Sequence, residues 1–543
     1  MMKTLHLTNT QSDIDKASAI LREGGLVAMP TETVYGLAAN ALDGRAVRRI
    51  FEAKGRPMDN PLIVHVADFS DIGRLRLVSQ IPEKAVKLAE VFWPGPLTII
   101  MPKGDVIPDE VSAGLSTVAI RIPSHPDAQK LLKTSGLALA APSANTSGKP
   151  SPTTAQHVID DMEGRIEAVI DGGSCSVGVE STVITLATDT PRILRPGLIT
   201  REEIEAVIGA IEVDHAVLHQ LENNEKASSP GMKYKHYAPR TRVVLLRGSD
   251  ERYLTYMNRL YARDPHVAAL CYDEDKPQLN MPCITIGGME DEKAQAQALF
   301  DALRAVDDLE DVHTVYAHCP TATGVGMALY NRLIRAAAFE VIDLPEKRII
   351  GLTGQTGAGK SEAAKLLSES GFPVVSADKA ARRAVEDSEV KAMLCAAFGD
   401  VLLPDGSLNR QLVAKIAFST PENTETLNHI THPKISEIML MQANQSDSDI
   451  VIFDASQLFE AHEDVFCCRI VGILADPKIR RERIMQRDGL SREEAERRMS
   501  AQLSEQFFID HCDDILYNNG SAQAFSDAVR QYGERWCADE QKI

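Results

Sequence analysis

Residues Gly354-Gln-Thr-Gly-Ala-Gly-Lys-Ser361 satisfy the spacing G-x-x-x-x-G-K-[S/T], follow the apolar pair Ile349–Ile350 and lead into a stretch from Glu362 to Leu367 that can continue as a helix. No other feature narrows the fold as much. A strand has to deliver such a loop and a helix has to leave it, because successive backbone N–H groups and the helix N-terminus together cradle phosphate. Gly354, Gly357 and Gly359 are the glycine positions of this ATP-binding loop, Lys360 neutralises the β and γ phosphates, and Ser361 is placed to ligate Mg2+. A plain glycine-rich turn would not need Lys360 and Ser361 at those offsets.

The loop lies well into a chain of 543 residues, longer than one hydrophobic core usually supports. Three domains are expected. From Leu26 to about residue 209, short β-rich runs such as Leu62–Val66 alternate with helical stretches such as Pro82–Phe92, which reads as α/β. Residues 221–239 lose apolar periodicity and collect Asn, Ser, Pro and Gly, so the boundaries are placed at 1–210, a linker at 211–240, a small βαβ domain at 241–345 and a P-loop domain at 346–543. Within the small domain, 243–246, 267–271 and 314–317 read as strands and 291–305 and 326–338 as helices. Its Gly324-Val-Gly326 lacks the third glycine of a dinucleotide fingerprint and reads as a helix entry.

A formal net charge of −19 repels phosphate backbones overall, so any RNA contact has to be local. The nine cysteines form no C-x-x-C pair and show no zinc spacing, which suits reduced thiols and a cytoplasmic location. Neither a signal-type apolar segment nor a membrane-length apolar run is present in the sequence, and no membrane partner is expected.

Four segments beside predicted strands are unusually polar: residues 30–37 (PTETVYGL), 54–61 (KGRPMDNP), 141–148 (APSANTSG) and 178–182 (GVEST). Polar loops at strand ends are how α/β domains build ligand crevices. Lys54 and Arg56 flank a glycine, so two cations can converge on one anion while Gly55 lets the backbone approach. Ser143, Asn145, Ser147 and Ser151 can hydrogen-bond phosphate or ribose without adding charge. Each segment alone has an ordinary alternative: a turn for 141–148, a core histidine for His65, solvated charges for Lys54 and Arg56.

Together with WPGPLT (93–98), TVAIRIPSHP (117–126), ILRPG (193–197) and SPGMKYKHYAP (229–239), these segments resemble the YrdC-type threonylcarbamoyl-AMP synthases in their longer, two-domain form. The resemblance implies a twisted α/β sheet around a positive cavity and the synthesis of threonylcarbamoyl-AMP from threonine, bicarbonate and ATP, for delivery by a threonylcarbamoyl transferase complex to adenosine in tRNA. It assigns Thr33, His65, Arg121 and Ser181 to threonine. It assigns Arg56, Asn60, Thr117, Ser143, Asn145, Ser151, Arg195 and Tyr234 to ATP, sets Lys54 and Arg56 at the reacting groups with a Mg2+ ion, and places Tyr234 and His236 in a lid segment, 229–237. The match extends into the small domain through GVGMALYNRLIRAA (324–337), which implies a Rossmann-like accessory fold.

The segment 348–543 resembles dephospho-CoA kinase through the P-loop, SADKAARRAV (376–385), DGSLNR (405–410), HPKI (432–435), LFE (458–460) and QRDGLSREEAERRMSAQ (486–502). That likeness implies dephospho-CoA as acceptor, Asp378 as the base for its ribose 3′-hydroxyl, and Arg483, Arg487 and Arg498 in a helical lid. Two departures stand out. Ser376 replaces an aspartate and Ser456-Gln457 replaces Pro-Leu, which leaves two readings open for this domain: an active kinase, or a nucleotide-binding module with impaired chemistry. For the N-terminal domain, a basic cavity that binds RNA without chemistry is the rival.

Overall fold

The computed structural model describes residues 3–218 and 237–539; Tyr234, His236 and most of the expected lid lie outside the described residues. Contacts divide the chain into two compact units, residues 1–247 with 264–342, and residues 248–263 with 343–543.

The first unit contains two sheets. Eleven strands form a mixed sheet whose middle consists of Gly36–Asn40, Leu139–Ala140, Ile63–His65, Thr117–Arg121, Leu97–Pro102 and Thr182–Thr185. The apolar run at 62–66 is therefore a central strand, paired parallel with Thr117–Arg121 so that His65 sits opposite Arg121. The helix Glu83–Phe92 fits the periodicity read for that stretch, with Ala85, Leu88 and Ala89 buried. The second sheet has five strands in the order Cys283–Thr285, Val267–Cys271, Thr314–His318, Arg242–Arg247, Val341–Asp343, and its first three neighbour pairs run parallel. Glu292–Ala305 and Gly326–Ala336 are helices, and Gly326 opens the second of them, as the missing third glycine suggests.

The two sheets share a core. Val34 from PTETVYGL, Val179 from GVEST and Tyr237 cluster with Leu299, Phe300, Leu329 and Leu333 of those two helices. Hydrogen bonds continue the seam: Arg304 donates to the Asp161 carboxylate at 2.8 Å and to Pro150 O at 2.6 Å, and Asn331 donates to Val217 O at 2.6 Å.

The second unit is built on a parallel five-stranded sheet, ordered Val374–Ser376, Ile450–Asp454, Arg348–Gly354, Arg469–Leu474, Asp514–Tyr517. The P-loop strand is central, as the motif requires. One helix departs from the boundaries drawn on the sequence, since Asp250–Arg263 packs with this unit although it lies between two strands of the small domain. Its side chains explain the placement. Arg259 donates to Asp513 at 2.7 Å, Arg263 pairs with the buried Asp464 and donates to Phe459 O at 2.6 Å, and the Tyr256 and Phe466 rings lie 5.5 Å apart. Removing one partner of a buried ion pair strands the other charge. Arg263→Ala is expected to destabilise the P-loop unit by about 2–4 kcal/mol in chemical denaturation of the full chain; an unchanged transition would show that this helix contributes nothing to the unit.

Candidate functional site

Lys54 ends the helix Gly44–Lys54, and Gly55 caps it in a left-handed conformation at φ 62°. A Cβ on Gly55 would meet no protein atom within 4 Å, so within the protein it is the left-handed backbone angle that calls for glycine there. The cap turns the chain so that Lys54 points inward with 4% exposure. Its ammonium donates to Ser143 O at 2.5 Å, Asn145 O at 2.6 Å and Asn145 Oδ1 at 3.3 Å. Burial, reinforced by the nearby Arg56, holds the Lys54 pKa well below the usual lysine range.

These groups line one cavity with Thr33, Arg56, His65, Arg121, Ser147, Ser151, Glu180, Arg195 and Tyr237. The four polar segments thus converge around a space of about 70 Å3. Tyr237, 6% exposed, forms part of the wall.

Arg121 and His65 occupy paired strand positions at one side of the cavity. Arg121 donates to Thr33 Oγ1 at 2.9 Å and lies 2.9 Å from Glu32, an ion pair rather than a well-directed hydrogen bond. Burial raises the Glu32 carboxyl, but the Arg121 charge outweighs it and holds the pKa below the usual range. Burial, together with the Arg121 charge, pushes His65 down to about 3, so its ring is neutral and both the core and the lining descriptions of this residue apply.

Three residues assigned by resemblance do not reach the cavity wall: Asn60, Thr117 and Ser181. Ser181 Oγ is engaged by Thr98 Oγ1 at 2.8 Å and by Arg195 at 3.1 Å. Thr117 opens the strand that Arg121 closes, paired with Pro102. The Asn60 side chain is buried, Arg56 lies 3.5 Å from Asn60 O, and among the described residues neither amide atom has a hydrogen-bond partner. Sequence reasoning assigned no role to Glu32 and Glu180, although both stand inside the polar segments it singled out.

In the P-loop unit, Gly354, Gly357 and Gly359 have φ of 148°, 77° and 108°. Side chains there would collide with Ile473 O, with Arg480 O at 2.8 Å and with Asn518, so the loop needs all three glycines for both angle and space. Lys360 starts the helix Lys360–Glu369 and pairs with Asp454, the last residue of the neighbouring strand. Asp454 was not foreseen. It stands opposite Ser376 in the strand register, so a carboxylate is present across from the serine that departs from the family pattern.

A cavity of about 670 Å3 joins the loop to Asp378, His432, Ser456, Gln457 and Glu463 and to the three arginines expected in a helical lid. Arg487 and Arg498 each pair with Asp488 at 2.8 Å, while Arg483 lies 3.4 Å from the carbonyls of Gly357 and Ala358 and so braces the loop itself. Among the described residues no group of three or more His, Cys, Asp or Glu forms a metal cage, and no helix is long and apolar enough to cross a membrane.

Glu463 accepts from Ser436 Oγ at 2.6 Å through one oxygen, and its other oxygen has no partner. Burial, aided by the adjacent Asp464, pushes its carboxyl up to about 7 from 4.5. A carboxyl raised in the folded state opposes folding once it ionises, an effect absent below the unfolded value and complete above the folded one. Glu463→Gln is therefore expected to raise the stability of the P-loop unit relative to the parent between pH 5 and 8, by at most about 3 kcal/mol. Denaturant titrations at the two ends of that range check it, and a pH-independent difference would contradict it.

Comparison with known proteins follows these sites. Residues 19–197 match the Sua5/YciO/YrdC family described as telomere recombination, 199–338 match the threonylcarbamoyl-AMP synthase C-terminal domain, and 348–524 match dephospho-CoA kinase. The chain is 48% identical to the threonylcarbamoyl-AMP synthase of Bacillus subtilis over 62% of its own length and 97% of that protein. It is 34% identical to the dephospho-CoA kinase of Fusobacterium nucleatum over 34% of its length and 97% of that enzyme. The crystal structure of P. abyssi Sua5 complexed with L-threonine aligns at 44% identity with a TM-score of 0.58, covering 63% of this chain and all of that one.

Proposed function

The chain belongs to the threonylcarbamoyl-AMP synthase family and, through its C-terminal third, to the dephospho-CoA kinase family, and on that premise we propose how its two cavities divide the chemistry. Both families are enzymes that use ATP. In the first cavity, threonine lies against Arg121, Thr33 and His65, residues that the family resemblance assigns to it and that line this cavity together; the P. abyssi relative was crystallised with L-threonine. Its amine attacks the carbon of bicarbonate, a C–O bond breaks, and the departing hydroxide takes the amine's proton and leaves as water, giving a carbamate. A carbamate oxygen then attacks the α-phosphorus of ATP, the bond to the bridging oxygen breaks, and pyrophosphate leaves.

Both reactants are anions, so alignment and charge neutralisation are the main catalytic demands. The observation that carries this assignment is Lys54, whose buried ammonium meets carbonyl and amide oxygens rather than a carboxylate. An incoming phosphate supplies the missing negative charge and restores an ordinary lysine pKa. Arg56 and Arg195 reinforce it, with Ser143, Asn145 and Ser151 at the nucleotide, and the Tyr237 ring in the wall helps keep water from the mixed anhydride. The threonylcarbamoyl transferase complex acting on tRNA is the recipient.

In the second cavity, Asp378 takes the proton of the dephospho-CoA ribose 3′-hydroxyl while that oxygen attacks the γ-phosphorus of a P-loop-bound ATP, releasing ADP. Ser361 and Asp454 would hold Mg2+, which when bound neutralises phosphate oxygens. The hydroxyl and carboxylate oxygens there suit a hard cation. Asp454 opposite Ser376 favours an active kinase over an impaired module.

The full chain is expected to incorporate labelled bicarbonate into an adenylate only with threonine and ATP. Lys54→Ala and Arg56→Ala should each lower threonine-dependent pyrophosphate release by about 100-fold or more without affecting ADP formation from dephospho-CoA, and Asp378→Asn should do the reverse. Absence of labelled adenylate from the unaltered chain, or loss of both activities in every variant, would overturn the assignment.

A further inference from the structure

Glu180 is a carboxylate in the wall of a cavity built to collect anions, and the small domain is what makes it tolerable. It is 6% exposed. Its Oε2 lies 3.1 Å from Nε of Arg332, a fully buried residue of the helix Gly326–Ala336, and the same guanidinium donates to Glu180 O at 3.3 Å and to Pro196 O. The other carboxylate oxygen accepts from Ser151 Oγ at 2.6 Å. Burial pushes the Glu180 carboxyl up, but the charges of Arg332 and then Arg195 prevail, so it stays ionised.

The backbone on both sides is fixed. A Cβ at Gly178 would collide with Gln297 of the other small-domain helix, and one at Gly197 would lie 2.8 Å from Glu180 O. The loop carrying Ser151 is held likewise, by Arg304 on Pro150 O and by Thr153 hydrogen-bonded to Asp301.

The hydrogen-bond directions carry the argument further. A serine hydroxyl has one proton, and this one is given to Glu180, so Ser151 can only accept from a ligand. Phosphate oxygens are acceptors as well. Ser151 therefore faces a donor on the nucleotide, a ribose hydroxyl or the base amino group, while the phosphates are left to the cations. With Arg332 absent, Glu180 would carry an uncompensated charge beside Arg195, drawing that cation away from phosphate and repelling the triphosphate.

We propose that Arg332 of the small domain is a positioning residue for the nucleotide subsite: it neutralises Glu180, and through Glu180 it fixes Ser151 as an acceptor toward the nucleoside part of ATP. This rests on the assignment of the first cavity to adenylate synthesis. It gives the small domain a defined task, completing one wall of the nucleotide site through a pair 152 residues apart in the chain.

The test is threonine- and bicarbonate-dependent pyrophosphate release by the full chain, which the kinase reaction does not produce. Arg332→Met is expected to raise the KM for ATP about tenfold or more, the scale of a lost charged hydrogen bond, with the KM for threonine within about twofold of the parent because Arg121 and Thr33 are untouched. Adding Glu180→Gln to Arg332→Met removes the stranded charge and keeps an acceptor for Ser151, so the double variant should recover most of the ATP affinity. A purely structural role would raise both KM values together and show no such recovery. Arg332→Lys keeps the charge without the fork and should lie between parent and Arg332→Met; it decides the matter if Arg332→Met fails to fold, since a parental ATP KM in folded Arg332→Lys overturns the proposal. The proposal is likewise overturned by a parental ATP KM in folded Arg332→Met, or by equal ATP KM values for the single and double variants. No pyrophosphate from the unaltered chain would instead contradict the underlying function.

Discussion

A buried ammonium without a carboxylate partner is the constraint around which the first unit is organised. Lys54 is taken out of water by the capping turn at Gly55 and met by the oxygens of Ser143 and Asn145, which satisfy its hydrogen bonds without cancelling its charge. Ionised groups are seldom buried unless paired, so such a lysine marks a candidate anion site. The remaining charges follow the same logic. The carboxylates near the ligand positions, Glu32 and Glu180, are each neutralised by a dedicated arginine, Arg121 and Arg332. Lys54, Arg56 and Arg195 line the same cavity.

The second unit meets the same demand by different means. It uses backbone geometry: three glycines in left-handed conformations open the loop, and Lys360 is held at its mouth by Asp454. The lysine there has a carboxylate partner. A P-loop thus relies on N–H groups and one movable cation, whereas the first cavity relies on side-chain charge converging from four loops.

What could be read in the sequence was local. The apolar run at 62–66 and the P-loop offsets depend on neighbours along the chain, and they appear as a central strand and a strand–loop–helix. The clustering of Lys54, Arg56, Ser143, Asn145 and Ser151 was also legible, because each residue type already matched an anionic ligand. What escaped was non-local. Nothing near Arg332 marks it as a partner of Glu180, and helix Asp250–Arg263 shows no sign in its own pattern that Arg259 and Arg263 face Asp513 and Asp464. Ser181 is assigned to threonine by the family resemblance, and within the protein its hydroxyl hydrogen-bonds Thr98 and Arg195. Satisfying a buried hydroxyl and contacting a substrate demand the same residue type.

A crystal structure of the full chain with threonine and a non-hydrolysable ATP analogue is the most direct measurement. The account predicts nucleotide in both cavities, with Lys54 Nζ moved from the Asn145 carbonyl to a phosphate oxygen in the first. Nucleotide in the P-loop alone, with Lys54 still bound to Ser143 and Asn145 at saturating ligand, would contradict it.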